Sequence, residues 1–358
     1  MGYSGASGGH EAILAAEELV RRHRYGGDSA RLGIDQITGR LRLAVDRVMG
    51  EGGLWAPDLA ARALRQAEGD VQEAAQLIRA HRSTLPRLAY SEPVHADELR
   101  VVRRISPAFR NPPGDQLLGR TLDYVGRLLD LLPDDQPPVP ADPAPADPPP
   151  TDGEHDPRRP PRLLGLLREM GMVVERRGEG DAEPYDITRQ PIRPGVPRSA
   201  RLTAMARAET GALVHLWYSH TFRPGRHNHE FPGEVRHGRL PVRVRHPLTG
   251  EPVTVAEVRV TEVETIDDLD RPEEDRTMLD LGYGMCFGHN ERKAIAMAGL
   301  DLLVHRDDGR TELEQEVLLT LDGIEAGGFL EHLKLPHYVD FRSVLDRKRA
   351  VREAVAAR

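Results

Sequence analysis

The sequence predicts an α+β fold: a helical N-terminal part, then a mixed region with a small antiparallel sheet, closed by a C-terminal helix. Three patterns carry this expectation. Apolar residues recur at three- and four-residue steps through the first third of the chain, as on one helix face. Leu240, Val242 and Val244 alternate with Arg243 and Arg245, a Thr249-Gly250 turn follows, and Val253, Val255, Val258 and Val260 continue the run. That is how a hairpin reads. Residues 340–356 are charged but amphipathic, as a surface helix requires.

Taken in order, Ile34, Ile37, Leu41, Val45 and Val48 predict one helix. Asp70 with Glu73 predicts an N-terminal capping box before Val71, Leu77 and Ile78. The short, branched-rich stretch 99–105 predicts a strand. Leu118, Leu122, Val125, Leu129 and Leu132 predict a further helix. Residues 133–161 are dense in proline and nearly devoid of apolar residues, so they read as a disordered or extended insertion. The expected organisation is therefore 1–132 mostly helical, 133–161 inserted, and 162–358 mixed. Within the last part, 163–170 and 200–208 predict helices, and 213–218 a strand. Residues 278–287 predict a strand running into a glycine-rich bend, and Asn290 caps a helix over 291–304.

Composition narrows the function. The chain has 358 residues and a net charge of −8, which argues against a broad nucleic-acid footprint. No apolar run is long enough to span a membrane. The first residues lack a secretory pattern, and Ala6 stands where a myristoylation motif needs Ser or Thr, so a cytoplasmic setting is expected. The single cysteine, Cys286, cannot by itself hold a disulfide or an iron–sulfur cluster. Between Met285 and Phe287 it reads as a small buried residue. Fifteen histidines are unusually many, and His215, His220, His227, His229, His237 and His246 crowd one region.

Three segments can carry chemistry. The first is Gly282, Gly284 and Gly288 followed by Arg292 and Lys293. Glycines admit a ligand close to the backbone, and a helix start presents free N–H groups to an anion. The alternative is a tight strand-to-helix turn with glycines for packing. The second runs from 225 to 234 and holds Arg226, His227, His229 and Glu234, either a binding or acid–base loop or a solvated connection. The third runs from 331 to 341, with His332 and His337 as metal-ligand candidates and Asp340 beside them. Pro336 between the histidines excludes a helical i, i+4 pair, so a turn must bring the imidazoles together. Two imidazoles suit zinc, but a complete site needs further ligands.

These blocks resemble the PhnI family, a subunit of the bacterial carbon–phosphorus lyase machinery. The resemblance rests on Asp46-Arg47-Val48-Met49 with Glu51-Gly52-Gly53, Ser91-Glu92-Pro93, Gln116-Leu117-Leu118-Gly119, Gly282-Tyr283-Gly284, Gly288 to Lys293, and the long block from His332 to Phe341. It spans nearly the whole chain, the insertion excepted, and is loose over 225–234. It implies a core complex with subunits G, H and J and an ATPase-like subunit L. It implies transfer of the ribose 5-triphosphate of ATP (as MgATP) to an alkylphosphonate with loss of adenine, and nucleosidase-like behaviour when the subunit is alone. It also implies zinc on the histidines matching His332 and His337, near the J subunit. Asp340 and Glu234 are then candidate acids for adenine departure, and Gly282, Gly284, Gly288, Arg292, Lys293, Arg226 and His229 candidate ligand contacts. The competing expectations are a scaffold that donates half of an interfacial metal site and a stand-alone metallohydrolase.

Overall fold

The structure is a computed structural model that describes residues 9–133, 135, 160–174, 184–222, 230–268, 277–306, 312–335 and 337–357. Most of the proline-rich stretch 133–161, together with Arg226, His227, His229 and Pro336, lies outside the described residues. The chain opens with helices α1 (Gly9–Tyr25), α2 (Ile34–Arg40), α3 (Arg42–Gly52), α4 (Pro57–Gln66) and α5 (Val71–Ser83). Helices α2 to α5 share one core built on Ile37, Val45, Val48, Met49, Leu64 and Ile78. The single helix expected over 34–48 is two. Leu41 leaves helical geometry (φ −107°, ψ 33°) and is half exposed, while Ile37 and Val45 on either side stay in the core. Asp70 caps α5, its Oδ1 accepting from the backbone N–H groups of Gln72 (2.8 Å) and Glu73 (3.1 Å), but the reciprocal half of the expected capping box does not form, because Asp70 N–H donates to Ala67 O (3.0 Å).

Strand β1 (Arg100–Ile105) follows, then α6 (Leu163–Glu169), α7 (Arg198–Arg207) and α8 (Thr210–Thr221). Strands β2 (Phe231–Arg245), β3 (Pro252–Asp268) and β4 (Leu279–Phe287) lead into α9 (Glu291–Arg306), α10 (Glu312–Gln315), a π-helical turn (Glu316–Thr320), α11 (Gly323–His332) and α12 (Tyr338–Ala356). The four strands form one antiparallel sheet in the order β1-β2-β3-β4, with the expected hairpin as its long middle pair. An α+β fold is what the sequence predicts.

Two further segments depart from expectation. Residues 213–218 are helical, inside α8, not a strand. Their branched and aromatic residues suggest β structure, but Glu209 caps the helix by accepting from Gly211 N (2.7 Å) and Ala212 N (2.6 Å), and Leu213 packs into the main core. Residues 118–132 are not helical, and Leu128, Leu129 and Leu131 are exposed. Helical spacing is insufficient there because, among the described residues, no element covers the stripe, and packing rather than propensity supplies most helix stability.

The sheet has two unlike faces. Against the inner face lies α9, and Val235, Val263, Cys286, Ala294, Met297 and Leu300 form the main core. The outer face alternates with it and carries Glu234 and Arg236 of β2, Glu262 and Glu264 of β3, Tyr283 of β4 and Arg104 of β1. All of these but Tyr283 are buried by more than nine-tenths. Arg104 donates to Glu234 (2.8 Å) and also grips backbone on two sides, Pro113 O (2.6 Å) and Asp115 O (3.1 Å) before the insertion and Pro161 O (3.0 Å) at its end. Arg162 bonds Glu262 (3.0 Å) and Glu264, and Arg236 bonds Glu262. Beyond this charged nest, Leu164 and Leu167 of α6 cover Ile266, Leu279 and Leu281.

Candidate functional site

The turn between α11 and α12 brings the two candidate ligands together. His332 is the last residue of α11 and His337 the N-cap of α12, so the helix breaks between them as the proline implied. Their rings meet edge to face with centroids 4.8 Å apart. His337 Nδ1 lies 2.6 Å from Leu335 O. A carbonyl only accepts, so Nδ1 carries the proton and Nε2 keeps its lone pair, which is the usual arrangement for a metal-binding imidazole. His332 Nδ1 is buried without a hydrogen-bond partner. An orphaned buried acceptor next to a second free imidazole nitrogen fits a zinc ion. The set is incomplete, because among the described residues no three His, Cys, Asp or Glu side chains converge on a metal position. Structural zinc takes four ligands and catalytic zinc three. Asp340 stands in the first turn of α12, exposed. Phe329, Leu330, Leu333, Tyr338 and Phe341 around the pair are all exposed, and no residue of α12 is buried.

The glycine-rich segment sits elsewhere in role. Gly282 and Gly284 lie within β4, not in a bend, and point at α9. A Cβ on either would overlap the helix backbone, at Ala298 O and Ala294 O respectively. They are small because α9 packs close on the sheet. Gly288 is the turn residue, with φ +74°, and a Cβ there would come within 2.5 Å of Asp46 Cβ. Asn290 caps α9, its side-chain oxygen accepting from Lys293 N (3.2 Å). Lys293 is fully buried and donates from Nζ to Ala208 O (2.7 Å), and burial pushes it below the usual lysine range. Arg292 faces solvent. Cys286 is buried, and loss of hydration pushes its thiol up to about 11, so it is no nucleophile at neutral pH.

Glu234 is equally committed. One oxygen accepts from Arg104 and the other from Leu163 N (3.1 Å), leaving it nothing to offer a departing base. Glu264 is the more unusual carboxylate. Burial, reinforced by Glu262, outweighs Arg162 and lifts it to about 7, and its Oε2 has no partner.

A second group forms where the inner face of the sheet extends past the start of α9. His237 of β2 stacks on His289 of the β4–α9 turn, rings 4.4 Å apart and 15° from parallel. His237 Nδ1 donates to Val260 O (2.9 Å), and burial with His289 beside it lowers its pKa to about 3. His289 Nδ1 faces Arg42 Nη1 at 3.1 Å, so it accepts, and Nε2 carries the proton toward Glu291 (3.6 Å). Arg103 clamps Glu291 (2.5 Å) and Asp123, and Arg259 pairs with Asp46 (2.7 Å). Asp46 also accepts from His289 N (3.0 Å), while Glu51 accepts from Thr210 N (3.0 Å) and Oγ1 (2.7 Å). The block 46–53 thus holds α3 against the β4–α9 turn and α8. Sequence spacing gave no sign of this group, because His237 and His289 meet only through the register of β2, β3 and β4.

Comparison with known proteins gives one consistent answer. The family described as PhnI: Bacterial phosphonate metabolism protein (PhnI) matches residues 2–355. A putative C-P lyase subunit protein HtxH of Stutzerimonas stutzeri is 41% identical over 372 residues, covering 100% of this chain and 98% of its own length. The alpha-D-ribose 1-methylphosphonate 5-triphosphate synthase subunit PhnI of Escherichia coli K12 is 40% identical, with 96% of each chain covered. The subunit of the same name from Rhizobium meliloti 1021 is 39% identical over 98% of this chain and 95% of its own.

Proposed function

The chain belongs to the PhnI family of bacterial phosphonate metabolism proteins, and from that premise we propose that it is the subunit of a carbon–phosphorus lyase complex that replaces the adenine of ATP by a phosphonate. The carrying observation is the match across residues 2–355, with relatives named for a ribose that bears a phosphonate at C1 and a triphosphate at C5. ATP is the parent of such a product. A phosphonate oxygen attacks C1′, the C1′–N9 bond breaks, and its electron pair leaves with adenine, which takes up a proton on the ring. Such a displacement needs an acid at the base and cations at the phosphorus oxygens.

His332 and His337 are the chain's share of a zinc site that subunit J, one of the proposed partners G, H, J and L, completes. When bound, the ion neutralises an anionic oxygen of the substrate. Asp340, three residues beyond His337 and exposed, is the proposed acid; Glu234 is spent on Arg104 and Leu163. The open half-site also favours a scaffolding share in the work, with the complex rather than the chain as the catalyst, and the cytoplasm is its proposed setting. Among the described residues no helix is long and apolar enough to cross a membrane.

The test is to assemble the chain with its partners, supply MgATP and methylphosphonate, and follow free adenine by chromatography. His332→Ala and His337→Ala should each lower both bound zinc and adenine release. Full zinc content with full release in both variants would remove the histidines from the mechanism. Release by the isolated chain at the rate of the complex would remove the need for partners.

A further inference from the structure

His332 hangs from the fold by the far end of its helix. Of α11 only Ile324, in the first turn, is buried, and α12 beyond it has no buried residue. Whatever fixes the His332–His337 pair in space therefore acts at the start of α11. There Asp322, the N-cap, divides its carboxylate between two tasks. Oδ1 accepts from Ile324 N (3.2 Å), and Oδ2 pairs with Arg79 Nη1 of α5 (2.6 Å). Gln72, also of α5, adds only a long bond to Gly323 O (3.5 Å).

Arg79 is no surface partner. Its side chain is 9% exposed, and its three nitrogens serve three different elements. Nε donates to Glu51 O of α3 (2.9 Å) and Nη2 to Arg207 O at the end of α7 (2.8 Å), which leaves Nη1 for Asp322. Lys293 of α9 holds the next carbonyl, Ala208 O (2.7 Å). A continuous set of bonds thus runs from the main core, through the α7–α8 link and Arg79, to the base of the arm that carries the two histidines. A guanidinium suits this task because its donors are fixed in one plane. Little else holds α11 at its base. The first turn borders a cavity lined by Ile192, Ala204, Leu318, Leu321, Asp322 and Glu325, and Arg207 reaches the exposed Glu325 only at 3.6 Å.

We propose that Arg79 and Asp322 form a latch that positions the histidine pair. Neither touches a metal or a substrate; both act through α11 as positioning residues. The arm works as a lever. From Asp322 to His332 is about 15 Å along the helix axis, so a tilt of about 10° at the base moves His332 by roughly 2.6 Å. Metal–ligand distances tolerate only about 0.2 Å. Two ligands that wait for others from a second chain must be presented in place, and the latch presents them. That the pair serves zinc rests on the reading above; the latch itself does not.

The experiment has two readouts. The first is the distance between nitroxide labels on the full chain, at Arg62→Cys of α4 and Ser343→Cys of α12, measured by double electron–electron resonance. Both positions are exposed, and the native Cys286 is buried and escapes labelling. The second is zinc affinity of the assembled complex without labels, by competition with a chelator. Asp322→Asn keeps a cap on Ile324 N and loses the charge. Arg79→Gln removes the fork, and Arg79→Lys restores the charge alone. Arg198→Gln is the control, since it breaks another partly buried pair, with Asp301, at the far end of α7. The expected result is a broadened distance distribution in Asp322→Asn and Arg79→Gln, with Arg79→Lys between them and the native chain, and no broadening in Arg198→Gln. Zinc affinity should fall about tenfold in the same two variants, as for residues that act through a ligand, and hold in the control. Unchanged distances in both variants, or equal broadening in Arg198→Gln, overturns the latch. Broadened distances with full zinc affinity overturn its positioning role. If His332→Ala and His337→Ala also keep full zinc affinity, the zinc site proposed above has failed, and the distances alone decide the latch.

Discussion

The outer face of the sheet and the α11–α12 end of the chain are both rich in polar groups, and they treat them in opposite ways. On the sheet, Arg104, Glu234, Arg236, Glu262 and Arg162 pair with one another and with nearby backbone, and the atoms left over, Arg162 Nε and Glu264 Oε2, are enclosed by the chain itself. At the α11–α12 turn, His332 Nδ1 is left without a partner, and α12 lies among exposed Phe, Tyr and Val side chains with none of its own residues buried. The first region is closed over by the chain's own elements and belongs to folding. The second is unfinished and belongs to assembly. Substitutions in the two should separate stability from function.

The largest effect is expected from Glu234→Ala. It strands a fully buried guanidinium and the Leu163 N–H, and breaking a buried pair from one side costs about 3–5 kcal/mol. Urea unfolding measures it, and a loss below about 1 kcal/mol would show that the nest is looser than its geometry implies. Gly284→Ala comes next. Its methyl group must displace the backbone of α9, and overpacking of this kind costs about 1–3 kcal/mol. A neutral result would mean that α9 does not sit tightly on β4.

The third prediction concerns pH. Glu264, lifted to about 7 chiefly by burial, keeps its proton when folded and loses it above about 4.5 when unfolded. Unfolding therefore releases a proton between these values, so this group's contribution falls as pH rises from about 4.5 to about 7 and then levels off. Glu264→Gln should remove that slope. Its stability relative to the native chain should climb through the same window, read from unfolding curves at pH 5, 6, 7 and 8. Parallel curves at all four values would mean that Glu264 is ionised throughout.

The smallest effect is expected at the unfinished end. His332→Ala and His337→Ala should each shift stability by no more than about 0.5 kcal/mol, as for surface changes, while zinc binding by the assembled complex drops. A stability loss in the isolated chain as large as that of Glu234→Ala would erase the distinction between the two regions.

The same contrast explains what could be read from the sequence. The hairpin around Thr249-Gly250, the capped helices α5 and α9 and the terminal helix rest on local patterns, and all are present. The break between His332 and His337 was legible because proline acts locally. The stripe at 118–132 and the strand at 213–218 misled because each depends on what lies opposite, which spacing does not record. The charged nest was hidden for a related reason. Arg236, Glu262 and Glu264 within strands look like a solvated edge until α6 and the chain around Pro113 and Pro161 are folded over them. His237 and His289 lie on different strands and turns, and only strand register makes them neighbours.

Arg104 has one more consequence. Its guanidinium holds Pro113 and Asp115 on one side and Pro161 on the other, so the two banks of the proline-rich stretch are moored to the same side chain. Residues 116–123 are themselves tied to β1, Leu117 pairing with Arg104 and Asp123 with Arg103, so the attachment to the sheet is complete before the proline-rich stretch begins, and added loop length costs only slowly growing closure entropy. For the experimenter the same mooring is a docking port: an affinity tag or a fluorescent domain spliced between residues 135 and 160 should leave the molecule's architecture as it is.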